Sequence, residues 1–339
     1  HIKKGRNYMK KKYKSILVYS GGEAIGDALY KLNFIKNLRY NFPNSKITWL
    51  AGQGKTEYSY TLKPLVNNLI DEVIDNLKIG VNPFIEIIKP SPIKKEYDVI
   101  IDTQTVVLPT LCLKKIKHKI FLSASAKWIL SDLKPNNFSI KNTSLNDRLN
   151  IFIKLINNNE VQYCKEDIKI EDKYIKLSNT LLPKGKTYIG ISPGAGDKTK
   201  IWPLNKFVKL AQGQVNKNRI PVFFLGPDEK NLLEIIKKDV PQAIFPEWTD
   251  SAIKSGLKGP ILVIALAKQV NVAIANDSGT GHMFAVAGTK LISLFSKHNS
   301  IKYAPNTKEL IILDSKKWGG VDPNLIPLQE VEKSINKLL

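Results

Sequence analysis

The chain is poor in the residues that mark several protein classes. Only two of its 339 residues are cysteine, Cys112 and Cys164. That is too few for a disulfide framework or a thiolate zinc cluster, and it fits a reducing cytoplasm. The four histidines, His1, His118, His282 and His298, are scattered, with no pair at helical ligand spacing, which argues against a dedicated metal centre. Arginine is confined to Arg6, Arg39, Arg148 and Arg219. Nucleic-acid readers use arginine forks and aromatic platforms gathered on one basic face, so this scarcity speaks against a specific nucleic-acid partner. No run approaches the ~20 apolar residues needed to span a bilayer. The opening HIKKGRNYMKKKYKSILVYS is basic but lacks the apolar core of a secretory signal. Residues 1–8 read as upstream or added sequence, with Met9 the expected start.

What remains is a lysine-rich globular chain. A hydrophobic content of 43% with 24% charged residues suits a soluble protein, and the length suits two domains. The formal charge of +22 is carried almost wholly by lysine spread along the chain. The plainest reading is a solvated lysine surface, which will nonetheless attract polyanions such as anionic lipid or glycolipid.

Short β-rich runs alternate with helical stretches, the pattern of βαβ units and parallel sheets. In the first half, SILVYS (15–20), KITWLA (46–51), DEVID (71–75), DVIID (98–102) and HKIFL (118–122) read as buried strands. Between the first two, residues 27–42 place Leu29, Leu32, Ile35 and Leu38 at helical spacing and predict an amphipathic helix closed by Pro43-Asn44. A polar stretch ending in Pro183 and Gly185 marks a domain joint. The alternation then resumes, with strands expected at 187–192, 222–226, 243–245, 272–276, 290–295 and 310–313. Helices are expected from about 204, at 228–238, at 261–269 and from about 279. The domains are therefore set at 9–165 and 187–326, with 166–186 as linker and 327–339 as a closing amphipathic helix.

In open α/β sheets, ligands sit beyond the carboxyl ends of strands. Three such corners here are rich in small and polar residues. SGGEAIGDAL (20–29) is neither a dinucleotide fingerprint nor a Walker A loop. Its Asp27 opens a helix, and the plain alternative is a helix cap. SPGAGDKTKIWP (192–203) combines Gly194 and Gly196, which let backbone approach a ligand, with Lys198 and Lys200 as point charges for phosphate. An ordinary turn with exposed lysines explains it equally well. NDSGTGH (276–282) runs from a strand into a helix whose free amides attract phosphate. An Asp/Ser cap with His282 at the core edge is the bland alternative.

These corners, in this order, resemble glycosyltransferase family 9, the ADP-heptose:lipopolysaccharide heptosyltransferases. The likeness runs through ILVYSGGEAIGDALYKLNFIKNLRYNFPNSKITWLA, YDVIIDTQ (97–104), IGISPGAGDKTKIWPLNKFVKLA and VAIANDSGTGHMFAVAGTKLISLF, covering most of 15–296. The resemblance implies a GT-B fold: α/β, with two Rossmann-like domains whose parallel sheets face each other across a cleft. It implies an inverting, metal-independent transfer of heptose from ADP-heptose to a lipopolysaccharide core or related glycan, with no cofactor. By the same resemblance Asp27 is the general base. Gly194, Gly196, Lys198, Lys200, Asp277, Ser278, Gly279 and His282 hold the donor, Glu229 contacts its ribose, and Gly26 and Gln104 lie on the acceptor side. The implied partners are a nucleotide-sugar donor, an anionic glycolipid acceptor and the cytoplasmic face of the inner membrane. Two departures bear on specificity: TVVLPTLCLKK (105–115) is apolar where the family often has glycine and a basic or small residue, and Gly281 replaces a methionine, which would widen the sugar pocket. Competing readings are a non-catalytic nucleotide-sugar or polyanion binder, a transferase using another nucleotide sugar, a Rossmann-type oxidoreductase and a sugar epimerase.

Overall fold

The computed structural model describes residues 13–136 and 143–339, so the expected start at Met9 lies outside the described residues. The chain divides into two compact units. The first holds the residues up to Ala24 together with Lys31–Lys165; the second holds Ile25–Tyr30 and Glu166–Leu339.

The first unit is built on a five-stranded sheet: β1 (Ser15–Ser20), β2 (Lys46–Ala51), β3 (Glu72–Asp75), β4 (Tyr97–Asp102) and β5 (His118–Ser123). All pairs are parallel, in the spatial order β3-β2-β1-β4-β5. Helices α1 (Ile25–Asn41), α2 (Lys63–Val66), α3 (Pro83–Glu86), α4 (Val107–Lys114) and α5 (Leu145–Ile156) connect or cover it. The first six residues of α1 belong to the second unit and the remainder to the first. Strands covered on both faces need apolar side chains at successive positions, which is why Ile16, Leu17, Val18 and Tyr19 are all fully buried. Leu17 and Tyr19 join Leu50, Ile100, Leu113 and Phe121 in one core layer.

Helix α1 departs from the simple amphipathic expectation. It begins two residues earlier than predicted and is buried beyond a single stripe, including Asn37 and Asn41. Those amides are not orphaned. Asn37 donates to the Asn150 side chain on α5 and accepts from the Cys164 amide, while Asn41 accepts from Asn157 Nδ2 and the Gln162 amide. A buried amide is stable only with partners, so this ladder fixes α1 against α5 and the segment behind it.

The second unit repeats the plan with β6 (Tyr188–Ser192), β7 (Ile220–Phe223), β8 (Val272–Asn276), β9 (Lys290–Phe295) and β10 (Leu310–Asp314), all parallel in the order β10-β9-β8-β6-β7. Its helices are α6 (Asp172–Leu181), α7 (Leu204–Val215), α8 (Leu232–Asp239), α9 (Asp250–Ser255), α10 (Pro260–Ala267), α11 (Gly279–Val286) and α12 (Leu328–Leu338). Strand alternation assigns the two core layers. Val272 and Ile274 pack with Trp202, Phe207, Phe223 and Ile335, while Ala273 and Ala275 pack with Phe224, Leu266 and Phe284.

Three expectations change here. The stretch 166–186, read as a linker, carries α6, which packs on α10 inside the second unit. The strand expected at 243–245 shrinks to a single bridge between Ile244 and Val222, because Pro246 lacks the amide needed to extend pairing. The helix expected at 228–238 breaks into a 3-10 turn, Pro227–Glu229, followed by α8. Helix α12 forms at the predicted tail and packs on α7 and β9.

The strand orders locate the ligand corners. In the second sheet the order reverses between β6 and β8, whose carboxyl ends lead into residues 193–200 and 277–282. In the first sheet the corresponding reversal lies between β1 and β4, leading into residues 21–27 and 103–106. A crevice opens where neighbouring strands send their connections to opposite faces, and ligands of such sheets bind there.

Candidate active site

In the second unit, the side chain of Asn276, at the end of β8, holds two corners together. It is fully buried; its Oδ1 accepts from the Trp202 amide at 3.0 Å, and its Nδ2 donates to the carbonyls of Pro193 at 3.0 Å and Gly194 at 3.3 Å. Residues 193–202 and 276–282 therefore meet at one end of the sheet.

Within this corner Asp197 caps the 3-10 turn Lys198–Lys200, accepting from the Thr199 amide and hydroxyl. Lys200 at the end of that turn points inward. Its ammonium lies 3.1 Å from Asp277 Oδ2 and 3.2 Å from the Asp277 carbonyl, with only 13% of the side chain exposed. Lys198 is exposed, so of the two predicted lysines Lys200 reaches the corner. Gly194 and Gly196 separate in the same way. A Cβ on Gly194 would stand 2.3 Å from Glu229 Oε1, whereas a Cβ on Gly196 would meet open space. The carboxylate of Glu229 thus lies over Gly194 and beside Gly226, which joins it to this corner.

Ser278 is the N-cap of α11, its hydroxyl accepting from the Gly281 amide. Capping was the bland alternative, and it holds for this residue. Gly281 is buried, and a side chain there would point back toward the Asn276 carbonyl and Ala275. The expectation that Gly281 widens a sugar pocket is corrected: its missing side chain faces the strand, not the open end.

Residues 25–30 close the same unit. Gly26 lies against Gly279 and His282, and the His282 ring meets Tyr30 edge-on at 5.3 Å. Burial lowers the His282 pKa below the usual imidazole value, partly opposed by the Asp277 and Asp27 carboxylates, which favours the neutral ring. Asp27 is exposed in the first turn of α1. The cap position is Ala24, with no side-chain cap bond, so the alternative role of Asp27 as a helix cap does not hold.

Three participants escaped the sequence reading. His298, in the segment after β9, places Nδ1 2.7 Å from Asp277 Oδ2. Asp277 is therefore shared between an ammonium and an imidazole. Glu247, in the 3-10 turn Pro246–Trp248, has its carboxyl pushed up to about 8, first by burial and then by the neighbouring Glu229 charge. In the first unit, Glu23 is buried, paired with Lys31 at 2.9 Å and accepting from Trp49 Nε1 at 3.2 Å. That pair anchors the loop ahead of α1. The adjacent Gly22 holds φ +124° with the Lys55 carbonyl against it, so no side chain fits there.

Gln104 also lies in the first unit. Its amide donates to Asp102 Oδ1 at 2.9 Å, and its side chain, with that of Gln53, flanks Gly21. Asp102 itself is fully buried, accepts from the Thr110 and Ser123 hydroxyls, and is pushed up to about 6 by burial.

The model of glycosyltransferase family 9 (heptosyltransferase) matches residues 92–322, more than half of the chain. The chain belongs to glycosyltransferase family 9. It is similar to the lipopolysaccharide core heptosyltransferase OpsX of Haemophilus influenzae, 25% identical over 83% of this chain and 79% of that one. It is also similar to lipopolysaccharide heptosyltransferase 1 of Campylobacter coli, 24% identical over 87% of both chains. Among solved structures, the family 9 glycosyl transferase of Veillonella parvula superposes with a TM-score of 0.69 at 20% identity, covering 96% of this chain and 97% of that one. The E. coli heptosyltransferase WaaC with ADP superposes with a TM-score of 0.64 at 13% identity, covering 96% of this chain and all of that one. These likenesses establish the GT-B fold, and family membership makes the chain a glycosyltransferase. The corner formed by Lys200, Glu229, Asp277 and the start of α11 lies within the span of that family 9 match.

Proposed function

We propose that this family 9 enzyme transfers heptose from ADP-heptose onto a lipopolysaccharide core or related envelope glycan, inverting the anomeric centre without a metal ion. The observation that carries the reading is the convergence of Lys200, Asp277 and the α11 amides on one corner that also holds Glu229. The similar curated proteins are lipopolysaccharide heptosyltransferases, and the similar E. coli enzyme was solved with ADP, which supports the donor and acceptor classes.

The positions of the groups support the following chemistry. The Asp27 carboxylate is exposed and free of capping duty, so it can take the proton of an acceptor hydroxyl. The resulting oxygen nucleophile bonds to the anomeric carbon from the face opposite the nucleotide. The bond from that carbon to the diphosphate oxygen breaks, and its electron pair leaves with ADP. Lys200 and the first amides of α11 offset the charge that grows on the departing diphosphate. Asp277 holds Lys200 in place without contacting phosphate, since two anions would repel. His282, neutral and wedged by Tyr30, offers a hydrogen bond near the reacting sugar. Glu229 accepts from ribose hydroxyls. Gly26 and Gln104 belong to the acceptor side. The acceptor is an anionic glycolipid, and the enzyme works at the cytoplasmic face of the inner membrane.

A thermal-shift panel of ADP-, UDP-, GDP- and CMP-sugars tests the donor. A ligand that binds only the folded protein stabilises it by about 2.7 kcal/mol at a hundredfold excess over Kd. ADP-heptose is expected to give the largest shift. A larger shift with a UDP- or GDP-sugar would reject the donor assignment.

A further inference from the structure

We propose that the exposed apolar face around α3 docks this protein onto an anionic lipid bilayer. The inference gives a location to the membrane contact of the proposed function and rests on that reading only for the reason a membrane is needed.

Helix α3 and its flanks display apolar side chains to solvent. Phe84 is 75% exposed and Ile88 85%, with Val81, Ile85 and Ile87 also exposed. Val106 and Val107, at the start of α4, are exposed as well, and α3 packs directly on α4. Gly80 lies against Pro109 of α4, which brings Val81 toward that turn. A single exposed isoleucine is ordinary, but a contiguous group of this kind marks an interaction surface.

The chain also works to hold this face outward. Lys115 donates to the carbonyls of Glu86 and Ile87 at 2.9 and 2.7 Å and to that of Lys89, pinning the end of α3 with a cation. Its neighbour Lys114 donates to the Leu130 carbonyl at 2.8 Å. The segment it pins includes three successive left-handed residues, Ala126, Lys127 and Trp128, and leads to Ile129 at 71% exposure. Left-handed backbone costs non-glycine residues energy, so its retention beside an exposed isoleucine calls for a use.

The charges select the partner. Lys89, whose carbonyl Lys115 holds at the end of α3, is exposed, as are Lys94, Lys95 and Glu96 in the segment that follows, a net positive surround. The Glu86 carboxylate turns inward, accepting from the Gly80 and Asn82 amides at 2.6 and 2.8 Å. Lysine is depleted from protein–protein interfaces, whereas apolar side chains beside lysine suit the boundary between acyl chains and anionic headgroups. No helix among the described residues is long and apolar enough to cross a membrane.

Flotation of the whole protein with vesicles tests the proposal, comparing phosphatidylcholine alone with an equimolar mixture of phosphatidylcholine and phosphatidylglycerol. The wild type is expected to float with the mixed vesicles only. The double variant Phe84→Ser/Ile88→Ser should bind them about tenfold more weakly or worse, from the lost apolar insertion. Reversal of Lys94 and Lys95 to glutamate should weaken binding about fivefold per lysine. Both sets are exposed, so far-UV circular dichroism and Tm should match wild type. A Lys237→Glu/Lys238→Glu control on α8 should bind as wild type does. Equal binding by the serine variant, or an equal loss in the α8 control, would show diffuse attraction to lysine and overturn the proposal. So would a wild-type dimer that the serine variant dissociates while vesicle binding persists. Transfer to a soluble, delipidated acceptor reports on the proposed function separately, and the serine variant should retain it.

Discussion

The ammonium of Lys200 and the carboxylate of Asp277 lie 3.1 Å apart, with the Asp277 carbonyl a second acceptor at 3.2 Å. The pair fixes a cation at the mouth of a helix N-terminus, which the proposed function makes the site of the departing diphosphate. Lys200→Ala is expected to lower kcat/KM by ~10²–10³-fold and to weaken ADP binding, because donors to a developing anion have that worth. Steady-state kinetics with isothermal titration of ADP will check it; unchanged ADP affinity would remove Lys200 from the phosphate site.

Asp27→Asn separates binding from chemistry. The side chain makes no cap bond, so the substitution should leave Tm and donor affinity unchanged while kcat falls by ~10²–10⁴-fold. Single-turnover kinetics at saturating donor is the measurement. Wild-type turnover in the variant would end the assignment of this residue as the base.

His298 is expected to act through Asp277, which its Nδ1 contacts at 2.7 Å. With its Nδ1 at 2.7 Å removed in His298→Ala, Asp277 rests on Lys200 alone and draws that ammonium back from phosphate. Donor KM should rise about tenfold, as for loss of a hydrogen bond to a charged group, with a smaller change in kcat. His298→Asn, which can still donate to the carboxylate, should restore most of the loss.

Gly194 and Glu229 form a steric pair. Gly194→Ala would put a methyl 2.3 Å from the Glu229 carboxylate and push it off its seat. ADP affinity should fall in Gly194→Ala and in Glu229→Ala, and the double variant should lose no more than Glu229→Ala alone, since neighbouring effects do not add.

Asp102 predicts a pH dependence of stability in the first unit. Its carboxyl sits at about 6 when folded against 3.8 otherwise, so the folded state keeps a proton that the unfolded chain has lost. Stability from this group is present below pH 4 and declines as pH rises through 6, by about 3 kcal/mol in all. Denaturant titrations across that range should show the decline, and Asp102→Asn should flatten it.

Strands and corners were legible because both are local. Ile16 to Tyr19 read as a buried strand from apolar side chains alone, and the polar turn 276–282 announced itself at the end of one. Lys200 and Asp277 share a corner because parallel strands β6 and β8 are neighbours, a strand order that alternation alone does not give. The rest depended on tertiary contact. His298 sits in an exposed segment with no pattern of its own, and only the fold brings it to Asp277. Glu23 looks like loop decoration until Lys31 and Trp49 are seen to enclose it. The buried asparagines of α1 were hidden because polar residues read as solvent-facing, and a ladder of mutual partners reverses that rule. Near residue 244 apolar composition suggested a strand, but one proline removed the donor that extension required.

The Asn276 side chain ties three chain segments with one amide, and this constrains how the enzyme can vary. A loop clamped at Pro193, Gly194 and Trp202 can neither lengthen nor shorten without losing the clamp. Variation at this corner must therefore arise by exchanging side chains around a backbone frame that stays put.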